Sequence, residues 1–268
     1  MKIPALLLVA ALVLPSSATA QTRDQARLIF NVSAGFIGGS TIWRVDDQPL
    51  YDEFAGVTLI DTLRITRRAR PTLTLGARGI YFHNDNLGFF GEAFLLGLGY
   101  DDGCSRRHAT SSTRNAEVCS TLDQSESAAS AVEVGGGAMF RVASRKTVSP
   151  YARAGIGITV ASRSTLSTSG FFNSAGANSE LVEVPIYKDE GLSQLYLSGT
   201  LGAGFTAQVA PGYQLRWEVR DNMVRLPTVT GPSVQDGSPP VVSNVVRHLF
   251  SMEIGFDVVL ERRHGRRY

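Results

Sequence analysis

Tyr213-Gln214-Leu215-Arg216-Trp217-Glu218-Val219-Arg220 alternates without a break between apolar and polar side chains, and three of its four polar positions are charged. A β-strand turns successive side chains to opposite faces, so this stretch predicts a ribbon with one oily side and one ionic side. The period continues far beyond it. Downstream, Phe250, Met252, Ile254, Phe256, Val258 and Leu260 oppose Ser251, Glu253 and Asp257. Upstream, similar ribbons are predicted at 27–38, 71–82, 88–100, 130–142, 151–162 and 194–209, which with 213–225 and the strand ending at Leu260 makes eight. Residues 57–66 and 181–187 also have β character, so a ring taller than its membrane part, or one of ten strands, is the alternative.

The connections alternate between long polar loops and short turns. His83-Asn84-Asp85-Asn86, Ser144–Pro150 and Ala210-Pro211-Gly212 are short and rich in turn formers. Strands of roughly 11–15 residues exceed the usual five or six and suit a tilted crossing of a bilayer. Long loops at one end and short turns at the other are the layout of a transmembrane barrel. Aromatic residues gather beside the short turns on the apolar face: Phe30, Tyr81, Phe89, Phe140, Phe205, Tyr213 and Phe256. That position is where an interfacial girdle belongs. The fold class expected is all-β: an antiparallel up-and-down transmembrane β-barrel.

Its polar side would then face the lumen. The set is Arg78, Glu133, Arg141, Arg153, Arg216, Glu218, Arg220, Glu253 and Asp257, free of Lys and nearly balanced in sign. Arginine suits confined, hydrogen-bonded pairs with carboxylates. An eight-strand interior is just wide enough to be filled by such side chains. Glu92 stands outside the set, because Phe90, Phe94 and Leu96 share its face. Charges decorating the outside of a soluble barrel are the competing reading.

Residues 1–20 join Lys2, an apolar run from Ala5 to Leu14, and Ala18-Thr19-Ala20. These are the parts of a cleavable secretory signal, and the run is too short to span as a helix. The domain plan is therefore a signal peptide at 1–20, a barrel at 21–260 and a basic periplasmic tail at 261–268. The formal charge is +2, and four arginines lie in the last eight residues, so the body is near neutral and gives no support for nucleic-acid binding. Cys104 and Cys119 fall in one polar stretch of an exported chain, which predicts a single disulfide. Closing a loop of about 15 residues contributes about 3 kcal/mol in the chain-entropy model. A metal site would need more ligands nearby than His108.

With these features the chain resembles the small outer-membrane β-barrel proteins of diderm bacteria, within the porin-like superfamily. The resemblance covers the whole segment after residue 20 and rests on pattern rather than on a sharp motif. In that family the last strand is read by the machinery that inserts barrels, and Phe250 through Leu260 look like that signal. This chain departs by continuing with Glu261-Arg262-Arg263-His264-Gly265-Arg266-Arg267-Tyr268. The resemblance implies an outer-membrane location and contacts with membrane lipid, lipopolysaccharide and the assembly machinery. It implies no cofactor.

Some barrels of this kind are lipid-modifying enzymes or proteases, which need an activated Ser or a paired Asp and His near the outer face. Of His83, His108, His248 and His264, only His248 has a Ser close by, Ser251, and the three-residue spacing puts the two on opposite faces. Asp46, Asp47, Asp52, Glu53, Asp101 and Asp102 offer carboxylates for a divalent cation but no spaced ligand order, so solvated loop charges are expected. The sequence thus points to a non-enzymatic barrel with an envelope or surface-interaction role. A narrow channel for small solutes is the first alternative, and an outer-membrane enzyme the second.

Overall fold

The computed structural model describes residues 28–260 except 39, 55, 98, 125, 128–129, 145, 162–165, 175–179, 189–193 and 234–236. The signal at 1–20 and the tail at 261–268 lie outside the described residues. In chain order the elements are β1 (Leu28–Gly38), β2 (Thr41–Phe54), β3 (Val57–Ala69), β4 (Thr72–Phe82), β5 (Leu87–Gly97), β6 (Tyr100–His108), α1 (Thr113–Asp123), β7 (Glu126–Ser127) and β8 (Ser130–Arg141). They continue with β9 (Val148–Ala161), β10 (Thr168–Asn173), β11 (Leu181–Tyr187), β12 (Gln194–Ala210), β13 (Tyr213–Gly231) and β14 (Val241–Leu260).

Eight of these strands close into a ring in the order β1-β14-β13-β12-β9-β8-β5-β4, every neighbour antiparallel. The strands added between them never enter the ring, so it has eight strands and not ten. Register fixes the tilt. A walk from Met223 passes Gly199, Ile156, Gly136, Gly91, Gly79, Phe30 and Val258, and re-enters β13 at Tyr213, ten residues lower. Such a stagger requires strands inclined by about 35–45° to the barrel axis.

One end of the ring is closed by the short turns. Gly212 has φ of 82° and follows Pro211, the pairing a type II turn demands, since proline presets the first central residue and glycine tolerates the second. The other end carries a head. Stretches that read as polar loops contain two further sheets: β2-β3-β6-β7, and the β10–β11 hairpin. Residues 57–66 and 181–187 are strands of these sheets. The Cys104–Cys119 stretch likewise holds β6 and α1. The 227–243 loop is shorter than its Pro and Gly content implies, because β13 runs on to Gly231 and β14 begins at Val241.

The reason for the head is a second apolar interior. Ile42, Val45 and Leu50 of β2, Leu63 and Ile65 of β3, Val118 and Leu122 of α1, and Ile186 of β11 are all buried in one cluster. Burial there gives each side chain about 1.5–3 kcal/mol, enough to order segments whose surface faces are polar. Ser112 caps α1 by accepting a hydrogen bond from the Asn115 amide at 3.0 Å, satisfying one of the helix's open donors. A disulfide joins Cys104 of β6 to Cys119 of α1.

The disulfide should matter to the head and not to the ring. Reduction, or Cys104→Ser with Cys119→Ser, is expected to expose 109–112 to added protease. The heat-dependent gel shift of the barrel should survive. Loss of that shift on reduction would show that the two parts do not fold separately.

Candidate functional site

Strand parity sends alternate residues of each barrel strand into the lumen, where they form layers. At the short-turn end Ile29, Ile80, Phe82, Phe90, Met139 and Tyr151 make an apolar plug. Above it lies an ionic layer, and above that Phe94, Leu96, Ile37 and Ala131 merge with the core of the head. Room for the rings comes from small residues opposite: a Cβ added to Gly76 would overlap the Phe94 ring.

The ionic layer is a single connected network. Arg78 donates from Nε to Glu92 at 2.8 Å and from Nη1 to Glu218 at 3.1 Å. Arg153 donates to the same two carboxylates, 2.6 Å to Glu218 and 2.7 Å to Glu92. Arg220 reaches Glu133 at 2.8 Å and Glu92 at 3.2 Å. Glu253 is the fourth carboxylate for three guanidiniums; it lies 3.8 Å from Arg78 and 4.0 Å from Arg220, and accepts from the Ser251 hydroxyl at 3.3 Å. The Tyr151 hydroxyl adds a further donor to Glu218 at 2.6 Å. Arg78 is 1% exposed and Glu218 3%, so water does little of the neutralising.

Two of the nine charged residues named from sequence sit apart from this layer with partners of their own, and Arg141 is set apart as well. Arg216 forks onto Asp257, Nη2 to Oδ2 at 2.6 Å, while Asn31 donates to Asp257 Oδ1 at 2.6 Å. Arg141 closes the short-turn end, its Nε donating to the Asp85 carbonyl at 2.8 Å and its guanidinium lying 3.7 Å from the centre of the Phe82 ring.

Glu92 corrects the sequence reading. It is buried in the middle of the network, paired across the β4–β5 ladder with Arg78. Phe90 and Phe94 share its face because guanidiniums lie over their rings: Arg153 is 4.8 Å from Phe90, and Arg220 is 4.5 Å from Phe94. A desolvated cation over an aromatic face gains about 2 kcal/mol. The signal that finds Glu92 is its parity with those rings combined with its register opposite Arg78. Arg216, in the same way, lies 4.7 Å from the Tyr151 ring.

Outside, the polarity is reversed. Ile156 is 75% exposed, and Leu195, Leu197 and Met252 are each 69% exposed. Phe30, Tyr81, Phe89, Phe140, Phe205, Tyr213 and Phe256 are all exposed beside the short turns or the strand ends next to them. Phe205 stacks on Trp217 at 5.0 Å and Tyr213 on Phe256 at 5.6 Å; Trp217 escaped the sequence reading of that ring. Asp221 and His248 are the first charged groups on the outward side of β13 and β14, with His248 Nδ1 2.7 Å from Asp221 Oδ2. Ser251 points the other way, buried in the lumen.

The acidic loop residues are dispersed over the head. Asp102 is bound by Arg67, Asp52 accepts from Ser112 at 2.6 Å, Asp47 lies 3.8 Å from Arg107, and Asp46 takes both Arg64 and Arg44. Among the described residues no group of three or more His, Cys, Asp or Glu side chains converges as a metal site would. The Arg64 hydrogen bond, with Arg44 beside it, holds the Asp46 carboxyl below the usual carboxylate range.

No family model and no curated protein matches the chain. Among solved structures it is similar to Neisserial surface protein A, at 12% identity and a TM-score of 0.42, covering 88% of this chain and 98% of that one. It is also similar to the outer membrane protein OprG from Pseudomonas aeruginosa, at 13% identity and a TM-score of 0.40, covering 88% and 98%. A third is Ail, the attachment invasion locus protein of Yersinia pestis, at 14% identity and a TM-score of 0.35, covering 87% and 98%. At this level of identity and overlap, nothing about activity passes from them to this chain.

Removing one member of a buried ion network costs about 3–5 kcal/mol, whereas replacing a whole pair by apolar groups can be nearly neutral. Glu218→Ala should therefore lower unfolding stability in lipid vesicles by about that amount. Arg153→Ala with Glu218→Ala should cost clearly less than the two single changes added together, and strict additivity would refute direct coupling. In the head, Asp46 has a depressed folded-state pKa, so what it adds is present above the ordinary carboxylate range and is lost as pH falls through its lowered midpoint. Arg64→Gln should raise that midpoint in an NMR titration, and an unmoved midpoint would contradict the pairing.

Proposed function

We propose that this protein is an integral outer-membrane barrel without enzymatic activity, closed along its lumen and displaying its head at the cell surface in an envelope or surface-interaction role. The observation that carries the reading is the inversion of polarity: a charged, filled interior inside an oily exterior. In water that exterior would be a very large exposed apolar patch, far beyond the few hundred Å² usual for a soluble monomer. In hydrocarbon the same surface costs nothing, and the closed ring leaves no unpaired strand edge along the wall shared by all eight strands. The Asp221–His248 pair, at the upper limit of the apolar wall on β13 and β14, fits the level of the headgroups.

The filled lumen favours this reading over a narrow channel. A solute would have to part the Phe82–Arg141 layer, the apolar plug and the Arg–Glu network in turn, each member of which is buried against its neighbours. A Ser–His site is disfavoured by the separation of His248 from Ser251 on opposite faces of β14, whereas the Asp–His contact that the enzyme reading asks for is present as Asp221–His248 at 2.7 Å. Export through a cleaved signal, insertion by the barrel assembly machinery and contact of the 261–268 tail with anionic headgroups belong to the same proposal. Basic residues near such a surface gain about 1 kcal/mol each.

Membrane fractionation with heat-modifiable gel migration tests the location, and planar bilayers test the closure. The protein should appear in the outer-membrane fraction, migrate differently when unheated, and give no sustained current. Arg78→Ala with Arg153→Ala and Glu218→Ala should introduce one. A water-soluble, unshifted band would remove the membrane reading, and a steady wild-type current would remove the closed lumen.

A further inference from the structure

The head contains a cavity of about 480 Å³ between the β3–β6 pair and the β10–β11 hairpin, within the range of small-molecule sites. Its floor is Arg67 and Asp102, both buried, joined by two hydrogen bonds at 2.6 and 2.5 Å. The guanidinium of Arg67 lies 5.2 Å from the Trp43 ring and 5.7 Å from that of Tyr100, and Thr168 donates to Asp102 at 2.8 Å. Such a floor is already ordered, so a ligand resting on it loses little to rearrangement.

The walls decide the ligand class. Arg67 and Lys188 are matched by Asp102 and Glu183, so the lining carries no net charge. A phosphate or sulfate would meet two carboxylates, and a cation would meet two basic groups. Phe171 and Pro185 add apolar surface to the lining, beside Tyr187, which is itself buried. At the mouth, exposed Glu183 accepts from the Ser169 hydroxyl at 2.6 Å through one oxygen, and its second oxygen has no partner among the described residues. A wholly apolar ligand would strip water from Glu183 without replacing its hydrogen bonds. What fits is a neutral ring with hydroxyls on its edge and a C–H face for the aromatic wall.

We propose that this cavity binds a single neutral sugar unit, with Glu183 accepting from its hydroxyls and the Phe171–Pro185 side packing on its ring face. The inference rests on the surface-display reading only for the side of the membrane from which the sugar arrives.

Trp43 and Trp217 are the two tryptophans of the chain, so Trp217→Phe leaves a lone reporter beneath the cavity floor. The full chain carrying that change, refolded in detergent free of lipopolysaccharide, is titrated with methyl glucoside, methyl galactoside, methyl mannoside and N-acetylglucosamine. Glucuronate and glucose 6-phosphate serve as charged comparators. At least one neutral sugar should change Trp43 emission saturably. Glu183→Gln should weaken it about tenfold, the value of one lost charge-assisted hydrogen bond, and Ser169→Phe, which fills the cavity without adding a second tryptophan, should abolish it. Both variants should keep the heat-dependent gel shift of the ring and the protease resistance of 109–112 in the head, which together separate loss of binding from loss of fold.

No saturable response to any neutral sugar would overturn the proposal. So would tighter binding of the charged comparators, or wild-type affinity in both variants. Competition by lipopolysaccharide core oligosaccharide or by a neutral host-type glycan then identifies the source, and either result supports the site. A current in bilayers would bear on the closed lumen alone and leave this test intact.

Discussion

A ring of eight strands encloses too little space for water to solvate the charges that its own parity turns inward. Each guanidinium in the lumen must therefore be matched by protein groups, and the rest of the barrel is arranged around that necessity. Glu92 and Glu218 each serve both Arg78 and Arg153. Phe90 and Phe94 give those cations flat faces to lie on, and glycines such as Gly76 make the room. The network need not add net stability, since buried ion pairs seldom beat well-packed apolar groups. What it does is fill the space between the apolar plug and the core of the head, each of its charges having an opposite charge within 4.0 Å.

The chain uses the hydrophobic effect in two opposite senses. In the head, Leu50, Leu63, Ile65, Val118 and Ile186 leave water by turning toward one another. In the ring, Leu195, Leu197, Ile156 and Met252 turn away from the interior and are left for the surroundings to cover. The head can thus be ordered by its own core and its disulfide, while on the proposed membrane reading the ring depends on a hydrocarbon solvent. The boundary between the regimes is sharp. Ile37 and Phe94 belong to the end of the ring and already pack with the core of the head.

This division also separates the roles proposed for the two parts. The ring is a filled anchor with no described opening through its ionic layer. The head carries the one cavity described among these residues whose lining combines an ordered ionic floor with an apolar wall. Its ligand groups come from β3, β6, β10 and β11, four strands in three separate connections, so no single loop contains the site.

Much of the architecture was legible residue by residue. The run from Tyr213 to Arg220 marks its two faces directly, because a strand's side-chain period is a property of the local backbone. The short turns, the eight barrel strands and the nearness of Cys104 to Cys119 follow from equally local signals. Parity alone, however, cannot say which face lies inside; that depends on closure of β1 against β14, across more than two hundred residues. Nor could it pair Arg78 with Glu218, 140 residues away, since the ten-residue stagger of the ring sets which side chains meet. Glu92 was misjudged because aromatic neighbours look like a lipid face until guanidiniums are laid over them. The head sheets and α1 were hidden in polar stretches, since their ordering comes from a shared core that exists only once the segments have met. Sequence alone therefore determined the strands and their two-sidedness, through backbone geometry, while tertiary structure alone decided inside from outside, partner from partner and the existence of a cavity, through long-range register and packing.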